Sequence, residues 1–113
     1  MQEIIGNFWD YHNQSHIIAI TTNGFVKSSG ECVMGRGCAR EARDTFPGIA
    51  KRLGSLIKEH GNHVYYLGLG IVSFPVKHNW WENADPALIE RSAKELVGLA
   101  DKDGWKSIII PRP

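Results

Sequence analysis

The sequence has little cysteine and few signs of metal binding. Cys32 and Cys38 are the two cysteines among 113 residues, and they do not form a Cys-x-x-Cys pair. We therefore favour a buried free thiol, at Cys38 on the apolar face of a predicted helix, over a redox pair or a metal half-site. His60 and His63 also lack the spacing of metal ligands, so we assign no metal ion and no cofactor.

Excess charge and long apolar runs are also absent. The 13 lysine and arginine residues nearly balance 12 acidic residues, which gives a formal net charge of +1. Such a chain has no electrostatic footprint that requires nucleic acid or an anionic membrane. No apolar run approaches the length of a membrane span, and Met1–Ile5 lacks the basic and apolar regions of a secretory signal. We expect a single cytoplasmic domain over residues 1–113, with any anion held by local groups.

Alternating strand and helix patterns predict an α/β fold. The segment His16–Ile20 is apolar after its first residue and rich in β-branched side chains, which is typical of a central strand covered on both faces. Apolar residues at helical spacing then predict three helices, and further apolar runs predict strands. The predicted helices are Cys38–Phe46, Pro47–His60 and a stretch from an N-cap at Asp85 to about Gly104, and the further strands are Glu3–Ile5, Val64–Leu67, Ile71–Phe74 and Ser107–Ile110.

The first predicted strand is followed by Asn23, a glycine-bearing loop and the start of a helix. Gly35 and Gly37 allow a ligand to approach the backbone, and a helix start carries about half a positive charge, so phosphate is the natural ligand. Two known phosphate fingerprints are absent, because Arg40 stands where G-x-G-x-x-G has its third glycine and no Gly-Lys-Ser/Thr follows. The alternative is a tight strand-to-helix connection that binds nothing.

Four segments taken together resemble a macrodomain. They are Asn23 after a strand, Val33-Met34-Gly35-Arg36-Gly37-Cys38-Ala39, Phe46-Pro47 and Phe74-Pro75-Val76-Lys77-His78-Asn79-Trp80. The resemblance covers nearly the whole chain, and it is greatest to the DNA-directed ADP-ribosyl hydrolases of toxin–antitoxin pairs and the related terminal ADP-ribose hydrolase. Phage-type ADP-ribose-1''-phosphatases are also similar. The resemblance implies a three-layer α/β/α fold with a mixed, largely parallel sheet.

The same resemblance implies an ADP-ribose site. Lys77 matches the lysine that acts at the distal ribose, and Asn23 matches the asparagine that binds ribose hydroxyls, so these two are the candidate catalytic residues. Macrodomains usually hold the adenine amino group with an aspartate where this chain has Asn7, whose amide oxygen can accept the same hydrogen bond. The candidate ligand-binding residues are Asn7, Phe8, Thr22, Asn23, Val33, Met34, Gly35, Arg36, Gly37 and Cys38.

Simpler explanations exist for several of these residues. Without the resemblance, Lys77 is better explained as a solvated loop lysine and Asn23 as a side chain that caps its own turn. Trp80 either stacks on adenine or a DNA base or holds its loop against the helix that starts at Asp85, and for Trp81 we favour this structural role. The sequence assigns no role to His78.

Two functions follow from the resemblance. One is a hydrolase that removes ADP-ribose or a 1''-phosphate from an ADP-ribosyl derivative, and the other is a non-catalytic ADP-ribose-binding module. A nucleotide-binding domain unrelated to macrodomains is the third alternative. The expected partner is ADP-ribose or an ADP-ribosylated substrate, with DNA as a partner solely in modified form.

The C-terminal end of the sequence departs from the macrodomain pattern. The chain stops at Pro111-Arg112-Pro113, before the second phosphate loop with its catalytic aspartate, the last strand and the last helix that the resemblance implies. We therefore expect a C-terminally truncated macrodomain with weak or no hydrolysis. An uncovered strand edge would also favour self-association.

Overall fold

The computed structural model describes residues 17–35, 37–68, 70–105 and 107–109. The predicted strand Glu3–Ile5 and the candidate ligand residues Asn7, Phe8 and Arg36 lie outside these ranges. Within them, strands and helices alternate largely as predicted. The elements are β1 (Ile17–Thr22), α1 (Gly37–Thr45), α2 (Ile49–His60), β2 (Tyr66–Gly68), β3 (Ile71–Pro75), α3 (Pro86–Asp103) and β4 (Ile108–Ile109).

The strands form one sheet in the order β2-β3-β1-β4. Strand β1 runs parallel to both neighbours, with Ile18 opposite Ile71 of β3 and Ile109 of β4, whereas β2 is antiparallel to β3. This arrangement confirms the predicted mixed, largely parallel sheet. It also confirms the central position of the first strand, because Ile18, Ala19 and Ile20 are fully buried.

Helices cover both faces of the sheet, which confirms the three-layer architecture. Alternate side chains of β1 point to opposite faces, so each face has its own apolar core. The core under α1 and α2 contains Ile18, Ile20, Ala42, Ala50, Leu53 and Ile71. The core under α3 contains Ala19, Val72, Phe74 and Leu96, with Ile89 and Leu99 packed against it.

Two of the helix boundaries show how glycine and capping residues set the element ends. Helix α2 begins at Ile49 rather than at Pro47, because Gly48 has a left-handed φ of 93° and turns the chain between α1 and α2. Helix α3 matches its prediction more closely. The Asp85 carboxylate accepts a hydrogen bond from a first-turn N–H, and Gly104, with a φ of 71°, caps the other end.

Strand β4 is shorter than predicted within the described residues, covering Ile108–Ile109, and it pairs with β1 along one edge. No described strand lies along its other edge. In the part of the chain that the structure describes, no helix combines the length and the apolar character needed to cross a membrane.

Candidate ligand-binding site

A cavity of about 760 Å³ lies where β1 and β3 end and α1 begins. Ligands of open α/β sheets bind at this carboxyl edge, where the strand ends and helix starts supply unpaired polar groups. The cavity brings together six residues that were predicted from distant parts of the sequence. They are Thr22, Asn23, Val33, Met34, Gly35 and Lys77.

The predicted phosphate cradle is partly described. Gly37 is the first residue of α1, as expected for a helix start that faces the cavity, and no acidic residue lies in the first turn of this helix. Arg36 and the side chain of Cys38 lie outside the described part of the chain. Among the described residues that line the cavity, Lys27 and Lys77 carry charge and none is acidic, so the local electrostatics favour an anion.

Gly35 is exposed, and its missing side chain leaves free space. A Cβ built at this position meets no atom within 4 Å, and the backbone does not have a left-handed φ. Neither backbone conformation nor packing within the described protein therefore requires glycine here. The space in front of Gly35 belongs to the cavity, where a ligand can approach the main chain directly.

The amide of Asn23 organises the loop that precedes α1. Its Oδ1 accepts a hydrogen bond from the Phe25 N–H at 2.9 Å, and its Nδ2 donates to the Val33 carbonyl at 3.0 Å. The first bond is the local turn cap anticipated as the simpler explanation for this residue. The same Oδ1 also accepts from the Cys32 thiol at 4.0 Å, and the second N–H of the amide remains able to bind a ligand from the cavity wall.

Thr22 has an unusual hydroxyl. The residue is 95% buried, and among the described residues its Oγ1 is the buried side-chain polar atom that has no hydrogen-bond partner. A buried hydroxyl without a partner costs free energy, and such groups in native structures call for an explanation. Thr22 lines the cavity, so a bound ligand or water is the available partner.

Lys77 lies in the segment 76–85, which we call the lysine loop, between β3 and α3. Three consecutive carbonyls of this loop each accept a hydrogen bond from a different part of the chain. The Val76 carbonyl accepts from the Asp85 N–H at 2.8 Å, and the His78 carbonyl accepts from the Gly24 N–H at 3.1 Å. The carbonyl of Lys77 accepts from the side-chain amide of Asn62 at 3.0 Å. A lysine with a fixed backbone is unlike a freely solvated loop residue.

The structure supplies a role for His78. Its Nε2 lies 2.9 Å from Oδ2 of Asp85, the residue that caps α3. This hydrogen bond, together with one from the Ala87 N–H, lowers the pKa of the Asp85 carboxyl below its usual value. The hydrogen bond between His78 and Asp85 therefore joins the lysine loop to the N-terminus of α3.

Aromatic side chains form the rim of the cavity beside Lys77. Trp80 lines the cavity and is 49% exposed, and its ring lies edge-to-face with Trp81 at 5.5 Å. Trp81 in turn lies edge-to-face with Phe25, also at 5.5 Å. The sequence favours packing of Trp81 against the following helix, whereas its ring contacts in the structure are with Trp80 and Phe25, and the Phe25 contact joins the lysine loop to the turn after β1.

Sequence reasoning missed several cavity residues. Phe25 and Lys27 follow the Asn23 turn, and Ala84 and Ile89 flank the start of α3. Phe25 was the easiest of the four to predict, because it directly follows the Asn-Gly pair in the sequence. Ala84 and Ile89 carry no signal in the sequence beyond ordinary helix-start and helix-face residues.

Cys32 is buried in the core rather than exposed for chemistry. The residue is 1% exposed, and burial raises the pKa of its thiol to about 12, so it stays protonated and unreactive at neutral pH. Within the described ranges, no group of three or more His, Cys, Asp or Glu side chains is placed to hold a metal ion.

Comparison with known proteins relates this geometry to one fold. No protein-family model matches the chain, and no curated protein matches it either. Among solved structures, the macrodomain of Thermus aquaticus DarG is 22% identical with a TM-score of 0.79, and the macrodomain of Mycobacterium tuberculosis DarG is 18% identical with a TM-score of 0.77. Each match covers 97% of this chain and 74% of the other.

A third similar structure carries a ligand. It is Thermosipho africanus DarTG in complex with ADP-ribose, which is 19% identical with a TM-score of 0.76. The match covers 98% of this chain and 33% of that longer chain. At these identities the similarity establishes the fold, which is that of a macrodomain.

Proposed function

From this macrodomain fold, related to DarG macrodomains, we propose that the chain binds ADP-ribose in the cavity at the ends of β1 and β3. The observation that carries the proposal is the convergence of Asn23, Gly35 and Lys77 with the start of α1 on one cavity. A structure with the same fold, Thermosipho africanus DarTG, is a complex with ADP-ribose.

The diphosphate would lie against Gly35 and the first turn of α1. The N–H groups of a helix start are unpaired and the helix dipole favours negative charge there. Glycine at position 35 lets a phosphate oxygen approach the backbone, because the space that a Cβ would take is empty. The absence of acidic residues in the first turn of α1 removes a source of repulsion.

The riboses would use the polar groups at the end of β1. The Thr22 hydroxyl has no partner in the described structure, and the Asn23 amide has one N–H beyond its hydrogen bonds to Val33, Phe25 and Cys32. Sugar hydroxyls donate and accept, so they can satisfy both groups. This assignment accounts for a buried polar atom that would otherwise be unfavourable.

We further propose that Lys77 acts on the distal ribose when that ribose carries an acceptor. Its amine would attack the anomeric carbon, the acceptor would leave with a proton, and water would then release ADP-ribose from the lysine. The fixed backbone of Lys77 supports this role, because a nucleophile must be held in line with the bond that it breaks. The alternative is an ADP-ribose-binding module in which Lys77 neutralises charge.

Ligand-dependent melting tests the binding proposal. ADP-ribose at about one hundred times its dissociation constant would add about 2.7 kcal/mol to the free energy of unfolding and raise Tm by several degrees. AMP and ribose-5-phosphate at the same concentrations should give smaller shifts, because neither spans the cavity from Gly35 to Lys77. Equal shifts with AMP and ADP-ribose would contradict the distal-ribose half of the site.

Turnover of the Lys77→Ala variant tests the hydrolase proposal. Release of ADP-ribose from ADP-ribosylated DNA and protein, and of phosphate from ADP-ribose-1''-phosphate, should fall much more than the affinity for ADP-ribose. Unchanged turnover on every substrate would leave the binding module as the function.

A further inference from the structure

We propose that Asn62 is a positioning residue, which sets the location of Lys77 within the cavity. The inference rests on the proposed role of Lys77. Of the three donors that hold carbonyls 76–78, the donors at Val76 and His78 are backbone N–H groups, whereas the donor at Lys77 is the Asn62 side chain. One substitution can therefore release the Lys77 backbone and leave its two neighbours held.

Gly24 packs directly against the side-chain amide of Asn62. A Cβ built on Gly24 would lie 2.8 Å from both Cγ and Nδ2 of Asn62, closer than real Cβ contacts come. Gly24 does not have a left-handed φ, so its backbone conformation does not explain the glycine. Glycine at this position leaves space for the Asn62 amide to reach Lys77.

The segment that carries Asn62 is itself fixed to α3. The Arg91 guanidinium donates to the Asn62 carbonyl, and the Glu95 carboxylate accepts from the Val64 N–H at 3.0 Å. The other Glu95 oxygen lies 2.7 Å from Nδ1 of His63. On the other side of Asn62, the Gly61 N–H donates to the Ile57 carbonyl at 2.8 Å. Because the backbone is anchored on both sides, the Asn62 amide has a defined position from which to donate.

Displacement of Lys77 would affect reaction more than binding. A reacting group that moves by about 1 Å can lose roughly a hundredfold in rate, since the attacking atom leaves its line of approach. The phosphate contacts at Gly35 and α1 lie on other segments and do not depend on Asn62. We therefore expect loss of the amide to lower kcat and to leave the affinity for ADP-ribose nearly unchanged.

A double-mutant cycle between Gly24 and Asn62 tests the inference. Asn62→Ala removes the donor, and Gly24→Ala pushes the same amide away by adding a Cβ in its place. Each single variant should lower kcat at least tenfold, with Kd for ADP-ribose within twofold of the wild type. The double variant should be no slower than Asn62→Ala, because the added Cβ then has no amide to displace. Asn62→Asp, which keeps the shape without an N–H, serves as a second donor-free variant.

Asn79→Ala is the matched control. It also removes a side-chain amide of the lysine loop, but Nδ2 of Asn79 donates to the exposed Glu82 carboxylate at 2.9 Å rather than to the Lys77 backbone. Its kcat should stay within twofold of the wild type.

A second readout does not depend on turnover. The NMR signal of the Lys77 ε-methylene group, assigned by its loss in Lys77→Arg, should shift in Asn62→Ala and Asn62→Asp and stay in place in Asn79→Ala. An unchanged signal and an unchanged kcat in both Asn62 variants would overturn the positioning role, even if Tm fell. If the wild type hydrolyses none of the substrates, which is consistent with the weak or absent hydrolysis expected from its sequence, the Lys77 signal alone decides the positioning role.

Discussion

At the scale of single residues, the site depends on groups that are small or unpartnered rather than on an unusual side chain. Gly24 and Gly35 both have ordinary backbone conformations, and each leaves space for something else to occupy. At Gly24 the occupant is the Asn62 amide, whereas at Gly35 the space is open to the cavity. The same kind of residue therefore serves internal packing at one position and ligand access at the other.

Gly35→Val should weaken ADP-ribose binding at least tenfold, about 1.4 kcal/mol, because a branched side chain would enter the space where the phosphate approaches. The variant should keep the wild-type Tm to within a few degrees, since its Cβ meets no atom of the described protein. Calorimetric titration and thermal melting measure the two effects separately. If the variant binds ADP-ribose as tightly as the wild type, Gly35 does not contribute to the phosphate site.

Cys32 gives a prediction about alkaline pH. Because burial raises its pKa from 9.0 to about 12, the native state favours the protonated thiol. This preference stabilises the folded protein fully below pH 9, the pKa of the thiol in the unfolded chain. The stabilisation is lost as pH rises towards about 12, the pKa in the folded protein. Urea unfolding at a series of pH values should show a steeper alkaline decline for the wild type than for Cys32→Ala. If the free energy of unfolding depends on pH in the same way for both proteins, the raised pKa of Cys32 is contradicted.

Reactivity provides a second check on Cys32. In a Cys38→Ser background, iodoacetamide at pH 8 should alkylate Cys32 slowly in the native protein and rapidly in urea, because the thiolate is the reactive form.

At the scale of elements, α2 and α3 each contain an interior glycine, and the two have opposite surroundings. Gly54 of α2 is buried, and a Cβ there would lie 2.0 Å from the Gly30 carbonyl oxygen. Gly98 of α3 is exposed, and a Cβ there meets no atom within 4 Å. The Gly54 contact holds the loop that leads to Gly35 against α2, helped by the Cys32 N–H, which donates to the Ala50 carbonyl at 2.9 Å.

Alanine at these two positions should therefore have effects of opposite sign. Gly98→Ala should raise the free energy of unfolding by about 0.5–1 kcal/mol, because alanine restricts the unfolded chain and favours helix. Gly54→Ala should lower it by about 1–3 kcal/mol, because backbone must move to admit the methyl group. Urea denaturation of both variants measures the difference. Equal effects would mean that the loop does not pack against α2 as described.

The element pattern was largely predictable from the sequence, and the contacts between elements were not. Periodicity located β1, and the Asp85 cap and Gly104 located the ends of α3, because these signals are local. In the sequence Gly24 looks like an ordinary turn residue. The structure shows that glycine is needed there because of a contact with Asn62, which is remote in sequence. No local sequence feature distinguishes Asn62 from other polar loop residues. Its hydrogen bond to the Lys77 carbonyl is therefore visible only once the structure is known.

At the scale of the whole molecule, the cavity is assembled from β1, the loop before α1 and the lysine loop. Thr22, Asn23, Gly35 and Lys77 were predicted as ligand-binding or catalytic residues from short motifs, and the sheet order brings them together because β1 and β3 are parallel neighbours. The ligand roles assigned to these residues stay predictions. So do those of Asn7 and Phe8, which lie outside the described residues.

Strand β4 leads to a prediction about assembly. Among the described strands it has β1 as its neighbour on one side and no strand on the other. An unpaired strand edge can pair with a second chain. We expect the mass measured by light scattering to rise with protein concentration and to be independent of ADP-ribose, because the described cavity residues do not include β4. A constant monomer mass would contradict this expectation.

The hydrogen bond from Asn62 to the Lys77 carbonyl also bears on proteolysis. Trypsin cleaves after lysine, and the carbonyl that it must attack here is the one that Asn62 holds, between two further carbonyls that are also bonded. A protease needs the substrate backbone extended and free, so the Lys77–His78 bond should be protected although His78 is exposed. The rate of cutting at this single bond would report how often the lysine loop opens.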